Sequence, residues 1–465
     1  MKCFVSILFL LISLLSYSST ELNTLHYKFR IYLSDKGNTH YSVNNPSQFL
    51  TEKAIERKRV QNVEIDETDF PISNDYFALV EMAGGEIVSH SKWFNTFVVE
   101  VADSTKIDDI KSLSFVDSVK YVWKGTNNGY RESLRPRLQQ LNQIEANSQP
   151  ELNYEDTIYG YTHPQFKLHN ADQMLNAGYR GKGIEIGVID AGFTNFDVIP
   201  AFESVDLLGY SSFVPEGDMF ASSDHGTKVL STMAVSQPGQ MIGSAPEASY
   251  WLLRSEDVVS EFPVEEDYWV RAVEYADSLG LDVINTSLGY NDFDDINLSY
   301  THDDLTGGVS IMSLAADMAY DKGMIIVVSA GNEGNKPWQK STPPGDAKNV
   351  IAVGAVGTDS IIAPFSSHGE TADGRIKPDL VSVGKGTITI GQFGVIGRTN
   401  GTSLSSPFLA GLIASLWSIN PDLHREELID IIFKSSDRNL SPDPVYGKGI
   451  TDFSKAMNEV LKTVE

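Results

Sequence analysis

Apolar and polar positions alternate along residues 26–33 (HYKFRIYL) and 94–101 (FNTFVVEV), the period of strands with one face covered. Between them the spacing changes to that of helices. Residues 48–60 carry it through Phe49, Ala54 and Ile55, a second helix ends at Gly84-Gly85, and a short one opens at Ser104 with Ile107, Ile110 and Leu113 on one face. Residues 115–123 (FVDSVKYVW) supply a last strand, so the first part of the chain reads as a small α+β unit. From about residue 165 the pattern is different. Residues 184–189 (IEIGVI), Val283-Ile284-Asn285, 324–328 (MIIVV) and 350–354 (VIAVG) are continuous apolar runs of strand length, as expected for strands covered on both faces. Helical segments over 225–234, 264–279, 309–322 and 404–418 are interleaved with them. This alternation predicts an α/β domain with a mostly parallel sheet, whose functional groups collect outside the carboxyl ends of its strands.

The chain has 465 residues, and its ends and middle bound the two units. Lys2, an apolar run from Phe4 to Leu15 and small residues after it predict a secretory signal over 1–19, too short to span a bilayer. The expected location is therefore secreted or periplasmic. The one cysteine, Cys3, leaves with that signal, so no disulfide is expected in the mature chain. The boundaries read as a pro-domain over 20–125, a polar linker over 126–164 with Arg131, Arg135 and Arg137 open to nicking, and a large domain over 165–465. Residues 1–165 hold 16 basic and 21 acidic residues of the chain's 36 and 62, which leaves 20 and 41 on the remainder. The net charge of -26 thus lies mostly on the large domain, and it argues against nucleic acid and anionic membranes as partners. No later segment predicts stable membrane insertion.

Four residues carry candidate chemistry. Asp190 ends the run Ile186–Ile189 and is freed by Gly192, placing a carboxylate where it can orient an imidazole. His225, in Asp224-His225-Gly226-Thr227, opens a helix, where the dipole is expected to keep the ring neutral as a base. Ser403 follows Gly401-Thr402 at the start of an apolar helix, with its own N–H able to face an oxyanion. Asn332, after the strand at 324–328, offers a second donor. Each could alone be a cap or a turn residue; Ser405 and Ser406 are decoys for Ser403. Together they stand in the order Asp…His…Ser, one of the orders in which the triad recurs on unrelated folds.

The surrounding segments are similar to those of the subtilases, the subtilisin-like serine proteases, across about residues 165–455. Val188-Ile189-Asp190-Ala191-Gly192 and Asp224-His225-Gly226-Thr227 resemble the aspartate and histidine segments of that family. Ser329–Gly334 resembles its oxyanion segment, and Gly401-Thr402-Ser403 with Pro407 its nucleophile segment. The resemblance implies a three-layer subtilisin-like domain and a serine endopeptidase acting on protein or peptide substrates, with no cofactor required for the chemistry. It implies that Ser287-Leu288-Gly289 pairs with the substrate backbone, that Ala330 and Gly331 wall the pocket before the scissile bond, and that the chain's own pro-domain blocks the cleft as an intramolecular inhibitor. A monomer is expected. Two segments depart from the family pattern, Lys228–Ala234 after the histidine and Leu404-Ser405-Ser406 after the serine; neither removes a candidate catalytic group. Asp292, Asp294, Asp295, Asp303 and Asp304 form either a solvated acidic loop or a structural calcium site of the kind many subtilases hold; the metal ligands are unknown.

Three other chemistries are disfavoured. Gly181, Gly183 and Gly187 do not follow their strand and are wrongly spaced for a dinucleotide fingerprint, and neither Gly-x-Ser-x-Gly nor His-Glu-x-x-His occurs. The alternative from another class is a catalytically silent subtilase fold that serves as a binding or adhesion module.

Overall fold

The computed structural model describes residues 25–126, 158–215 and 217–464; the expected signal at 1–19 and most of the 126–164 linker lie outside the described residues. The N-terminal unit comprises β1 (Leu25–Leu33), α1 (Glu52–Val60), α2 (Asn74–Met82), β2 (Glu86–Ser91), β3 (Thr96–Val101), α3 (Ile107–Lys111) and β4 (Val116–Thr126). Its sheet is antiparallel with order β2-β3-β1-β4. β2 is a strand the apolar pattern does not announce, because a bulge between Ile87 and Ser89 breaks its alternation. Ile31, Val80, Phe97, Val99 and Ile110 bring the sheet and helices into one small core.

The large unit contains β5 (Glu185–Asp190), β6 (Asp206–Ser212), α4 (His225–Ala234), β7 (Ser249–Arg254), α5 (Val264–Leu279), β8 (Val283–Thr286), α6 (Ile311–Asp321), β9 (Ile325–Ser329), β10 (Ile351–Val356), β11 (Leu380–Val383), α7 (Thr402–Trp417), α8 (Arg425–Lys434) and α9 (Phe453–Leu461). Seven strands pair in parallel in the order β11-β10-β9-β8-β5-β7-β6. Alternate side chains feed two cores. Ile186, Val188, Ile325 and Val327 face α4 and α7, whereas Ile189, Ile284, Ile326 and Val328 face α5 and α6. The result is the expected three-layer α/β domain with a parallel central sheet. After β5 the chain adds β6 and β7 on one side and then β8 to β11 on the other, so strand order reverses between β5 and β8. A crevice opens at such a reversal, outside the carboxyl ends of the strands.

The N-terminal unit docks on the α5 side of this domain through polar groups. Thr51 donates its N–H to Ser278 O at 3.0 Å and its hydroxyl to Leu279 O at 2.7 Å, while Arg57 Nη1 donates to Leu281 O at 2.6 Å. These donors satisfy carbonyls at the end of α5, where the helix itself has none to give. Glu274 accepts the N–H groups of Lys92 and Trp93 at 2.9 and 3.0 Å. Asp267 is gripped by Arg30 Nε and Nη2 at 2.5 and 2.7 Å. Fully buried Asp277 faces Arg57 and, at 3.1 Å, Lys58. Burial alone raises its pKa, but the Lys58 and Arg57 charges outweigh that and hold it at about 2. Removing one member of a buried, paired set costs about 3–5 kcal/mol. In an Asp277→Asn chain, α1 is expected to detach from α5, so its amides exchange faster while those of β8 to β10 keep their protection. Unchanged protection of α1 contradicts this account of docking.

Candidate active site

Asp190 is the last residue of β5 and fully buried at the reversal point. Its Oδ1 accepts the Ala191 N–H and a ring N–H of His225, both at 2.8 Å. His225 is the first residue of α4, and its N–H donates to Ser223 Oγ at 3.2 Å. The strand end and the helix start approach through two glycines: Gly226 N–H donates to Gly192 O at 3.0 Å, and a Cβ on Gly226 would lie 2.4 Å from that oxygen. No side chain fits there, which is why both segments carry glycine beside their functional residue.

The expectation of a His225 ring kept neutral by its helix start is corrected. Desolvation in the cleft wall lowers the His225 pKa, but the Asp190 charge and hydrogen bond, with Glu256 adding, raise it to about 9. A full carboxylate charge at 2.8 Å outweighs the fractional charge of a helix terminus.

Ser403 is the second residue of α7, the long helix buried against β8 to β11. Gly401 precedes the helix with φ 153°, and a Cβ there would lie 2.8 Å from Ser403 Oγ and 3.8 Å from Asn332 Nδ2. Those two atoms therefore flank one small space. Asn332 is oriented by a neighbour that the motif reading missed. Its Oδ1 accepts the Thr402 N–H at 3.0 Å and the Thr402 hydroxyl at 3.1 Å, and Thr402 Oγ1 in turn accepts the Gly331 N–H at 3.1 Å. With its oxygen so held, Asn332 turns its amide N–H groups the other way. Among the described residues, no hydrogen bond joins Ser403 Oγ to His225; substrate-free sites commonly hold this contact long and tighten it on binding. The decoys are fully buried: Ser405 Oγ donates to Thr402 O at 2.9 Å, and Ser406 faces Ser287 Oγ at 3.4 Å.

A cleft of about 670 Å³ is lined by His225, Ser403 and Asn332 together with Ser287, Leu288 and Gly289. Gly331 and Thr342 also line it. Ala330 is corrected as a wall residue: it is fully buried one layer behind, where its carbonyl accepts the Thr342 N–H at 3.2 Å. The acidic loop at 291–304 uses its carboxylates locally. Asp295 caps the turn at Ile296–Leu298, Asp304 accepts the Thr301 N–H, and Asp294 accepts the Glu261 N–H.

Pro407 ties this cleft together. It has no N–H, so the Ser403 carbonyl one turn earlier lacks its helical donor. Ser287 Oγ donates to that carbonyl instead, at 2.9 Å. Losing the donor leaves a buried carbonyl unpaired, at about 1–3 kcal/mol. Ser287→Ala is thus expected to lower the thermal midpoint, and adding Pro407→Ala, which restores an in-helix donor, to recover part of the loss. Strictly additive effects in that double-mutant cycle would refute the link.

Comparison with known proteins agrees with this geometry. Residues 181–449 match the model of the subtilase family, Peptidase S8, and residues 28–140 match the Peptidase S8 propeptide domain of Bacteroidota. Subtilisin DY of Bacillus licheniformis is 29% identical over 293 residues, covering 62% of this chain and 96% of the relative. Subtilisin E of Bacillus subtilis strain 168 is 29% identical over 290 residues, covering 62% and 68%. The serine protease AprX of the same strain is 26% identical over 325 residues, covering 63% and 69%. The chain belongs to the subtilase family and is a serine-type endopeptidase made as a precursor with an N-terminal propeptide domain.

Proposed function

We propose that the chain is a secreted endopeptidase in which Asp190, His225 and Ser403 form the catalytic triad and Asn332 completes the oxyanion hole. The observation that carries this reading is the Asp190–His225 hydrogen bond at 2.8 Å in the cleft that Ser403 and Asn332 also line. Ser403 Oγ attacks the peptide carbonyl carbon while His225 takes its proton, and the carbonyl π electrons move onto oxygen. Asp190 holds the His225 tautomer and stabilises the imidazolium without itself taking the proton. The Asn332 amide and the Ser403 N–H bind the oxyanion. Collapse breaks the C–N bond as His225 protonates the leaving amine, and water then hydrolyses the acyl-enzyme by the same steps in reverse.

Ser287–Gly289 pairs with the substrate backbone as an added strand, and Gly331 with Thr342 walls the pocket for the residue before the bond. Residues 1–19 direct export, residues 20–125 act as the inhibitor, residues 126–164 link the two units, and residues 165–465 form the catalytic domain. No helix of the described residues is long and apolar enough to cross a membrane. Helix caps at Asp295 and Asp304 favour the solvated reading of the acidic loop over calcium there.

Ser403→Ala is expected to give a folded full-length chain that takes no fluorophosphonate label and cleaves no peptide. Hydrolysis by it above a Ser405→Ala control would remove Ser403 from its role, and a processed wild type that stays unlabelled would favour the silent binding module. The base must be neutral to act. Because Asp190 and Glu256 raise the His225 pKa against desolvation and Lys228, kcat/KM should climb with pH above 6.5 toward about 9. A profile already at its plateau by pH 6.5 contradicts the electrostatics of this pair.

A further inference from the structure

Beyond Ser403, one wall of the cleft carries a cluster of carboxylates that makes and breaks no bond in peptide hydrolysis. One carboxylate oxygen from each of Glu256, Glu261 and Glu265 lies within 4.8 Å of the other two. Glu265 is fully buried, and its oxygens accept the Asp257 N–H at 2.8 Å and the Phe262 N–H at 3.0 Å. Glu256 and Glu261 line the cleft, and among the described residues no donor reaches either carboxylate. Tyr290 also lines this wall at 2% exposure, and its buried hydroxyl has no partner among the described residues. Burial and the charges of Glu265, Glu256 and Glu261 push the Tyr290 phenol well above its usual range. Burial, with the charges of Asp190 and Glu261, raises Glu256 to about 8, and burial with the charges of Asp294 and Asp257 raises Glu261 to about 7. Three carboxylates around one space repel one another until a cation enters it, and the Tyr290 phenol beside them adds an oxygen lone pair.

Position and donor count decide which cation. Ser287 is bonded to the Ser403 carbonyl and Tyr290 follows Gly289 directly, so Tyr290 marks the end of the Ser287–Gly289 segment away from Ser403, and the glutamates span from there toward His225. A peptide lying on that segment projects a side chain into it. Calcium takes six to eight oxygens, yet among the described residues one oxygen from each of three carboxylates converges here, and both oxygens of Glu265 are already held by backbone N–H groups. A guanidinium or ammonium needs only the open pair, Glu256 and Glu261, with the Tyr290 oxygen behind them.

Resting on the peptidase reading above, we propose that Glu256, Glu261, Glu265 and Tyr290 form a subsite that selects an arginine or lysine side chain of the substrate, at a position removed from the residue next to the scissile bond. The subsite raises the local concentration of basic peptides and fixes their register.

The test uses processed enzyme from the full-length chain, its active fraction counted with a fluorophosphonate. Peptides carrying arginine or its neutral isostere citrulline at each successive position before the bond are compared by kcat/KM. Arginine is expected to win by about ten-fold or more at one position, as close charge pairs at interfaces do, and Glu261→Gln to cut that ratio below about three-fold. Glu256→Gln serves as the second variant if Glu261→Gln does not fold. The ratio within each variant cancels any general loss of turnover. A wild-type ratio near one at every position, in an enzyme that labels and cleaves, overturns the subsite and leaves the peptidase reading standing. Absence of both label and cleavage overturns the peptidase reading itself. Calcium-dependent stabilisation lost in Glu261→Gln, with no arginine preference, assigns the cluster to a metal and also overturns the proposal.

Discussion

Pro407 sits one turn into the helix that starts at Thr402, and its missing N–H leaves the Ser403 carbonyl to be satisfied from outside the helix. The donor is Ser287 Oγ at 2.9 Å, itself held by Asn285 Nδ2 at 3.1 Å. A defect in one helix thereby becomes a tether between the serine and the segment that follows β8. The neighbouring residue makes the second tether, since Thr402 holds Asn332 Oδ1 through both its N–H and its hydroxyl. Ser403, Asn332 and the Ser287–Gly289 segment are thus fixed to one helix terminus. That terminus is rigid because the helix behind it lies buried against four strands of the sheet.

The parallel sheet explains why these groups meet at all. Every strand leaves its carboxyl end on the same side, so Asp190 at the end of β5, Ser287 after β8 and Asn332 after β9 arrive at one edge from distant parts of the chain. The reversal of strand order between β5 and β8 opens the crevice there. Burial at such a point is electrostatically costly, and the Asp190–His225 pair shows how the cost is offset. Buried Asp190 accepts the His225 ring N–H at 2.8 Å and lifts the pKa of the ring it holds.

Asp190, His225, Ser403 and Asn332 were legible because each sits in a short segment whose glycines and strand or helix edges mark it locally. Thr402, although inside one of those segments, gives no sign that its partner is Asn332, seventy residues earlier. Tyr290, Glu256 and Glu261 were illegible for the same reason: they converge only after β7 and β8 take their places in the sheet. Strand visibility follows burial and length. β5 and β9 are uninterrupted apolar runs, whereas β6 alternates at a sheet edge and β11 is four residues interrupted by Ser382, whose hydroxyl meets buried His169 at 2.9 Å. The charge on His225 was misjudged because helix position is local information and the Asp190 contact is not.

Two faces of the large domain use acidity in opposite ways, and the difference follows from what each carboxylate finds opposite it. Asp267 and Asp277, together with Glu274, are buried against Arg30, Arg57 and backbone donors of the N-terminal unit, so the large domain's negative charge is neutralised where that unit docks. Among the described residues Glu256 and Glu261 find no such donor, although they line the same cleft as His225 and Ser403. Carboxylates that share a space without a counter-charge are destabilising to the fold that carries them. The fold tolerates that repulsion in the cleft because the wall is open on one side, where water screens it before substrate arrives. Closing the wall over a bound peptide removes the water and strengthens every charge interaction there. Complementary cations then gain most and acidic side chains lose most. The large domain's negative charge therefore serves docking at one face and, through the proposed subsite, discrimination at the other.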